Sequence, residues 1–94
     1  LADFVIDFLE QKKIDTIFTV SGGGSIFLCD AMYKAKKLKY VSCHHEQAVS
    51  FAAESYSRIK NKPGAAIITT GPGGTNCTTG VACCWIDSVP TMFI

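Results

Sequence analysis

The sequence lacks any excess of charge. Nine Lys and Arg stand against eight Asp and Glu in 94 residues, a net charge of +1. Nothing in that balance attracts nucleic acid or an anionic membrane, and neither is expected as a partner. It also lacks an unbroken apolar run of about 20 residues, the length a membrane-crossing helix needs. After Lys62 the only charge is Asp87, but Pro63, Gly64, Gly71, Pro72, Gly73, Gly74 and Gly80 interrupt that stretch. The tail therefore reads as buried in protein, in its own core or at an interface. No CxxC pair occurs among the five cysteines at 29, 43, 77, 83 and 84. That excludes a zinc-finger spacing and gives no paired disulfide framework. Free thiols in a reducing cytosol are the consistent reading, and a cytoplasmic location is expected. The opening Leu1-Ala2-Asp3-Phe4-Val5-Ile6-Asp7 carries acids where a secretory signal carries bases.

What is present suits a folded domain: 48% of residues are apolar and 18% charged. The length allows one small domain. The chain has no initiating Met and stops inside the apolar run Pro90-Thr91-Met92-Phe93-Ile94. It is therefore expected to be a piece of a longer enzyme, a domain cut at its C-terminal end.

Strand and helix patterns alternate. Ala2, Val5, Ile6 and Leu9 share one helical face over residues 2–12, opposite Asp3, Asp7 and Glu10. Thr16 to Val20 reads as a short buried strand that ends at Ser21-Gly22-Gly23-Gly24. Ser25 is placed to cap a second helix running to Lys37, with Ile26, Leu28, Met32 and Tyr33 available for packing. Lys36 and Lys37 suit its last turn. Lys39 to Cys43 predicts a second strand. A helix follows over 46–60 with Val49, Ala52, Ala53, Tyr56 and Ile59 inward, stopped by Asn61-Lys62-Pro63-Gly64. Ala65 to Thr69 predicts a strand buried on both faces. Gly71-Pro72-Gly73-Gly74 predicts a turn, and a fourth helix runs from Thr75 or Asn76 to Trp85, with Trp85 packed at its end. Thr91 to Ile94 begins a fourth strand. The alternation predicts an α/β fold, a three-layer doubly wound parallel sheet with helices on both faces. Ligands of such sheets bind at the carboxyl ends of the strands. Ser21–Gly24, His44–Gln47 and Thr70–Asn76 all fall there.

Each of these segments has two readings. The Ser21–Gly24 run is either a tight loop or a place where a ligand approaches bare backbone. Thr69-Thr70-Gly71-Pro72-Gly73-Gly74-Thr75-Asn76 is no phosphate loop, because no Lys follows the glycines, and it is not GxGxxG. It is a close-packed turn that could still meet another ligand. Cys43-His44-His45-Glu46 suggests a metal, but adjacent residues at a strand–helix junction diverge, and no metal ligand is assigned. Glu46 opens a helix beside a strand end in an apolar fold. The helix dipole favours its carboxylate and burial favours its neutral acid. It is either a proton-sharing group or an acid that merely complements the dipole. Cys83-Cys84 fills core space, since neighbouring cysteines bridge poorly.

Three segments stand in a distinctive order: His45-Glu46-Gln47-Ala48, then Ala52-Ala53-Glu54-Ser55-Tyr56-Ser57-Arg58, then Thr70-Gly71-Pro72-Gly73-Gly74-Thr75-Asn76. Asp87-Ser88-Val89-Pro90 closes the pattern. The combination resembles the N-terminal pyrimidine-binding domain of thiamine diphosphate enzymes, nearest to acetohydroxyacid synthase and its decarboxylase and carboligase relatives. The resemblance runs from Phe18 to Ile94.

The resemblance implies a role for each matching residue. Glu46 corresponds to the glutamate that hydrogen-bonds N1′ of the aminopyrimidine ring and activates the cofactor. Ser21, Gly22 and Gly23 correspond to the loop beside the cofactor, although Ser21 stands where the family loop often begins with proline. Pyruvate decarboxylase relatives carry an acid near Gly23, and its absence here points to the carboligase side. Thr70 and Asn76 line the pyrimidine pocket. The resemblance further implies thiamine diphosphate as cofactor and a 2-oxo acid as substrate. It implies Mg²⁺ and the diphosphate bound by a domain outside this chain. It also implies a homo-oligomer, dimer or tetramer, with the cofactor at the subunit interface. A fragment alone is then expected to be inactive. The rival expectations are a doubly wound nucleotide- or sugar-nucleotide-binding domain and a non-catalytic interaction module that kept the fold.

Overall fold

The computed structural model describes residues 1–94. Helix α1 spans Ala2–Gln11, strand β1 Thr16–Thr19, and a single 3₁₀ turn Gly23–Ser25 leads into α2, Ile26–Lys34. Strand β2 is Lys39–Ser42, α3 Glu46–Lys60 and β3 Gly64–Ile67. Two short helices follow, α4 Pro72–Asn76 and α5 Thr78–Ile86, and β4 is Thr91–Phe93. The four strands form one parallel sheet in the order β2-β1-β3-β4. None of the helices is long and apolar enough to cross a membrane.

Alternation along the inner strands divides the core between two faces. Ile17, Ala65 and Ile67 point to the side covered by α1 and α2, where they meet Ile6, Leu9 and Met32. Phe18 and Ala66 point to the other side, against Val49 and Ala53 of α3. Every residue of β3 is buried and every residue of β2 is exposed, as befits a central and an edge strand. The expected doubly wound α/β architecture is therefore the observed one.

Several local expectations need correction. Helix α2 stops at Lys34, not Lys37, because Ala35 adopts an extended ψ of 135°. That break lets Leu38 reach the core, and it leaves Lys36 and Lys37 outside the helix. Lys34 is the cation in the last turn, and it pairs with Asp30 at 2.6 Å. Ser25 is not a side-chain cap. Its hydroxyl donates to the carbonyl of Gly22 instead. Ile26 and Tyr33 face solvent, and only Leu28 and Met32 of the four expected packing residues reach the core. Ile59 is 81% exposed and Trp85 is 86% exposed, so neither packs as expected. The predicted turn at Gly71–Gly74 is only partly a turn. Gly71 takes a left-handed φ of 67°, after which Pro72 opens α4, and the fourth helix is divided at Cys77. Of Cys83 and Cys84, only Cys84 is buried, and all five thiols are free.

The inward face of α3 is made of small and polar residues. Val49, Ser50, Ala53, Glu54 and Ser57 are buried there. Their size lets α3 lie close to α5 and β3. A Cβ on Gly80 would strike Ser50, and one on Gly64 would strike the Ala53 carbonyl. Ser57 Oγ accepts the N–H of Gly64 at 2.8 Å and lies 3.1 Å from the Pro90 carbonyl oxygen. Arg58 holds Glu54 at 2.7 Å and also pairs with Asp87. The Glu54–Arg58 and Asp87–Pro90 segments singled out in the sequence thus tie α3 to the α5–β4 connection. Asn61, at φ 50° and ψ 41°, ends α3 in the left-handed region.

Asp15, just before β1, accepts from the Lys62 ammonium and from the Tyr56 hydroxyl. Lys62, then Tyr56, hold its carboxyl well below the usual carboxylate range. A folded pKa below the unfolded value gives stabilisation that is complete above about pH 4 and fades as pH falls toward the folded value. The pair is solvent-facing and screened, so Asp15→Asn is expected to cost only about 0.5–1 kcal/mol at pH 7. Urea midpoints at pH 7 and pH 3 check this: the gap between variant and parent should narrow at the lower pH.

Candidate functional site

The strand order makes the site. From β1 the chain crosses to β2 on one side and then returns to β3 on the other. The carboxyl ends of β1 and β3 are therefore a topological switch point, where the connections diverge and leave a crevice. The loops after those strands touch. The N–H of Gly24 donates to Thr69 Oγ1 at 3.1 Å. A Cβ on Gly22 would lie 2.5 Å from Thr69 Cβ, and one on Gly24 would lie 2.8 Å from Thr70 Oγ1. Glycine at 22 is thus required by close approach of the two loops. A Cβ on Gly23 would meet nothing within 4 Å, and Ser21 is exposed.

The third loop brings Glu46. Strand β2 ends at Ser42, and the backbone turns at His45, whose Nδ1 accepts the N–H of Gln47 at 3.1 Å and caps α3. His45 is thereby used in the helix start. No three His, Cys, Asp or Glu side chains come together anywhere in the chain. Glu46 is the first residue of α3 and half-buried. Its Oε2 accepts from Asn76 Nδ2 at 2.9 Å. Its Oε1 would lie 3.4 Å from a Cβ on Gly73, so this oxygen sits beside bare backbone. Asn76, then a backbone N–H at the helix start, lower the Glu46 pKa, and His45 adds to this; burial opposes them. The Cys77 thiol donates to the Glu46 carbonyl at 3.1 Å, and burial pushes its own pKa up.

Over residues 1–94 the chain matches the family described as thiamine pyrophosphate enzyme, N-terminal TPP binding domain. The chain belongs to this family. It is 40% identical over 93 residues to acetolactate synthase 3, chloroplastic, of Brassica napus, in a match that covers 99% of this chain and 14% of the relative. It is 38% identical to the acetolactate synthase of Mycobacterium leprae, over 99% of this chain and 15% of that one. With the acetolactate synthase large subunit of Lactococcus lactis the identity is 33%, over 97% and 16%. The chain thus spans roughly one seventh of the length of these relatives. It is a TPP-binding N-terminal domain of the acetolactate synthase-like type.

In this TPP-binding domain the residues singled out from the sequence fall into two groups. Glu46 and Asn76 are in direct contact, and Gly22 reaches them indirectly, through Thr69 and Gly73. Ser21, Gly23 and Thr70 lie on the same loops, are exposed, and make no polar contact to Glu46. Thr69 was missed by sequence reasoning. It touches the space beside Gly22, Gly24 and Gly73 at once, which makes it the joint of the crevice.

Proposed function

We propose that this chain is the pyrimidine-binding part of a longer thiamine diphosphate-dependent 2-oxo acid decarboxylase or carboligase of the acetolactate synthase type. The observation that carries the reading is the Glu46 carboxylate at the start of α3, with Asn76 on one oxygen and bare Gly73 beside the other. Thiamine diphosphate, when bound, supplies the electron sink for decarboxylation. Glu46 would be the residue that shares a proton with a nitrogen of the aminopyrimidine ring. Gly22, Gly24 and Gly73 let the two glycine loops close onto Thr69 and Thr70, and this close packing sets the wall beside Glu46. A ligand that covered Glu46 would remove water from it and raise its pKa, making the proton easier to share.

The donor set fits a ring and not a diphosphate with its metal. The three loops carry no Lys or Arg between Ser21 and Ser25, Cys43 and Glu46, or Thr69 and Asn76, and no acidic cluster stands near them. We therefore assign the diphosphate and Mg²⁺ to another part of the enzyme, and place the cofactor at an interface within a homo-oligomer. A carboligase acting on a 2-oxo acid fits the absence of an acid at Gly23.

Two measurements on the intact enzyme test the proposal. Thiamine diphosphate with Mg²⁺ should raise the melting temperature, whereas ATP and NAD should not. CO₂ should be released from a 2-oxo acid only when the cofactor is present. Stabilisation by a nucleotide alone, with no CO₂ release, would replace this reading with a nucleotide-binding one.

A further inference from the structure

We propose that Asn76 is a positioning residue for Glu46: its side-chain amide occupies Oε2 and leaves Oε1, beside the bare Cα of Gly73, as the oxygen free to share a proton. The inference rests on the proposed role of Glu46 and deepens it. Sequence reasoning placed Asn76 on the pocket wall as a cofactor contact; one N–H of its amide is given to the glutamate.

The geometry is specific. Asn76 Nδ2 lies 2.9 Å from Oε2 and is the one side-chain donor to the carboxylate, beside the backbone N–H at the helix start. Asn76 is the last residue of α4, and the break at Cys77 turns the chain there. The next residue holds the same glutamate by its backbone, through the Cys77 thiol on the Glu46 carbonyl. Two successive residues of the α4–α5 junction thus grip Glu46 at both ends, from 30 positions further along the sequence. An amide is suited to this task. It donates without bringing a charge, so it favours the carboxylate less strongly than Lys or Arg would, and it leaves the proton transferable. An aspartate in its place would put a like charge beside Glu46.

The other groups facing Glu46 are His45, its own neighbour, and the Cys77 thiol from the start of α5. Neither is a carboxyl, so neither contributes to the infrared band of a carboxyl group. The test is a pH titration of the cofactor-free intact protein by infrared spectroscopy. The spectrum of a Glu46→Gln background is subtracted so that only the Glu46 carboxyl remains. The midpoint is expected to rise in Asn76→Ala and likewise in Asn76→Leu, which is close in size, adds no carboxyl and guards against a loss of packing. In the loaded enzyme, Asn76→Ala should lower kcat about tenfold and change the KM for cofactor less than about threefold. An unchanged Glu46 midpoint in Asn76→Ala would overturn the proposal. Failure of the parent reading looks different: Glu46→Gln would then keep its turnover while the titration still responded to Asn76.

Discussion

Glu46→Gln in the intact enzyme is expected to lower kcat by about 10²–10⁴-fold, the range over which a placed proton-transfer group acts. The fold should survive. Glu46 is half-buried, glutamine has nearly the same shape, and its carbonyl oxygen can still accept from Asn76. What is lost is the capacity to carry a proton at Oε1. Loss confined to kcat, with the KM for cofactor little changed, would mark an interaction made in the reaction and not in binding. Near-normal turnover at saturating cofactor would remove Glu46 from the chemistry. Circular dichroism of the variant separates this outcome from unfolding.

The second large effect concerns stability. Gly64→Ala would place a methyl group 2.7 Å from Ser57 Oγ and against the Ala53 carbonyl, both on α3. The carbonyl is backbone and cannot rotate away. Residues 53, 57 and 64 are all buried, so no solvent-filled space can take up the displacement. Overpacking of this kind costs about 1–3 kcal/mol and more where backbone must move. Gly64→Ala is therefore expected to lower stability by about 3 kcal/mol, a large share of what a small domain possesses. Gly23→Ala, where a methyl group meets nothing within 4 Å, should change it by less than about 0.5 kcal/mol. Urea midpoints of the two variants, compared at equal m-value, check the contrast.

The layered fold was legible because its signals are local. β1 and β3 are short apolar runs, Thr16–Thr19 and Gly64–Ile67, each bounded by polar or glycine-rich turns, and the helices between them show their own periodicity. The face each helix turns inward was less legible. Apolar spacing directed Ile59 to the core and Trp85 was expected to pack at the end of its helix, yet both are exposed. The packing of α3 is decided by how closely its neighbours approach, at Gly80 and Gly64, and Gly80 lies far away in sequence. Serines at 50 and 57 fit that approach where larger apolar side chains would not. The site divides in the same way. Glu46 could be found from its place at a helix start. Its partnership with Asn76 could not, because it depends on how α4 folds back over α3, and Thr69 gave no sign of its position between the two glycine loops.

Helix α3 joins the site to the packing that supports it. Its fifteen residues span about 22 Å, with Glu46 at one end and the Ser57 and Arg58 anchors toward the other. It behaves as a lever arm. From those anchors to Glu46 is about 17 Å, so a tilt of one degree would sweep the start of the helix through roughly 0.3 Å, more than half of the ~0.5 Å tolerance within which reactive groups must be held. Wear at the anchorage would thus displace Glu46 while the secondary structure still looked whole.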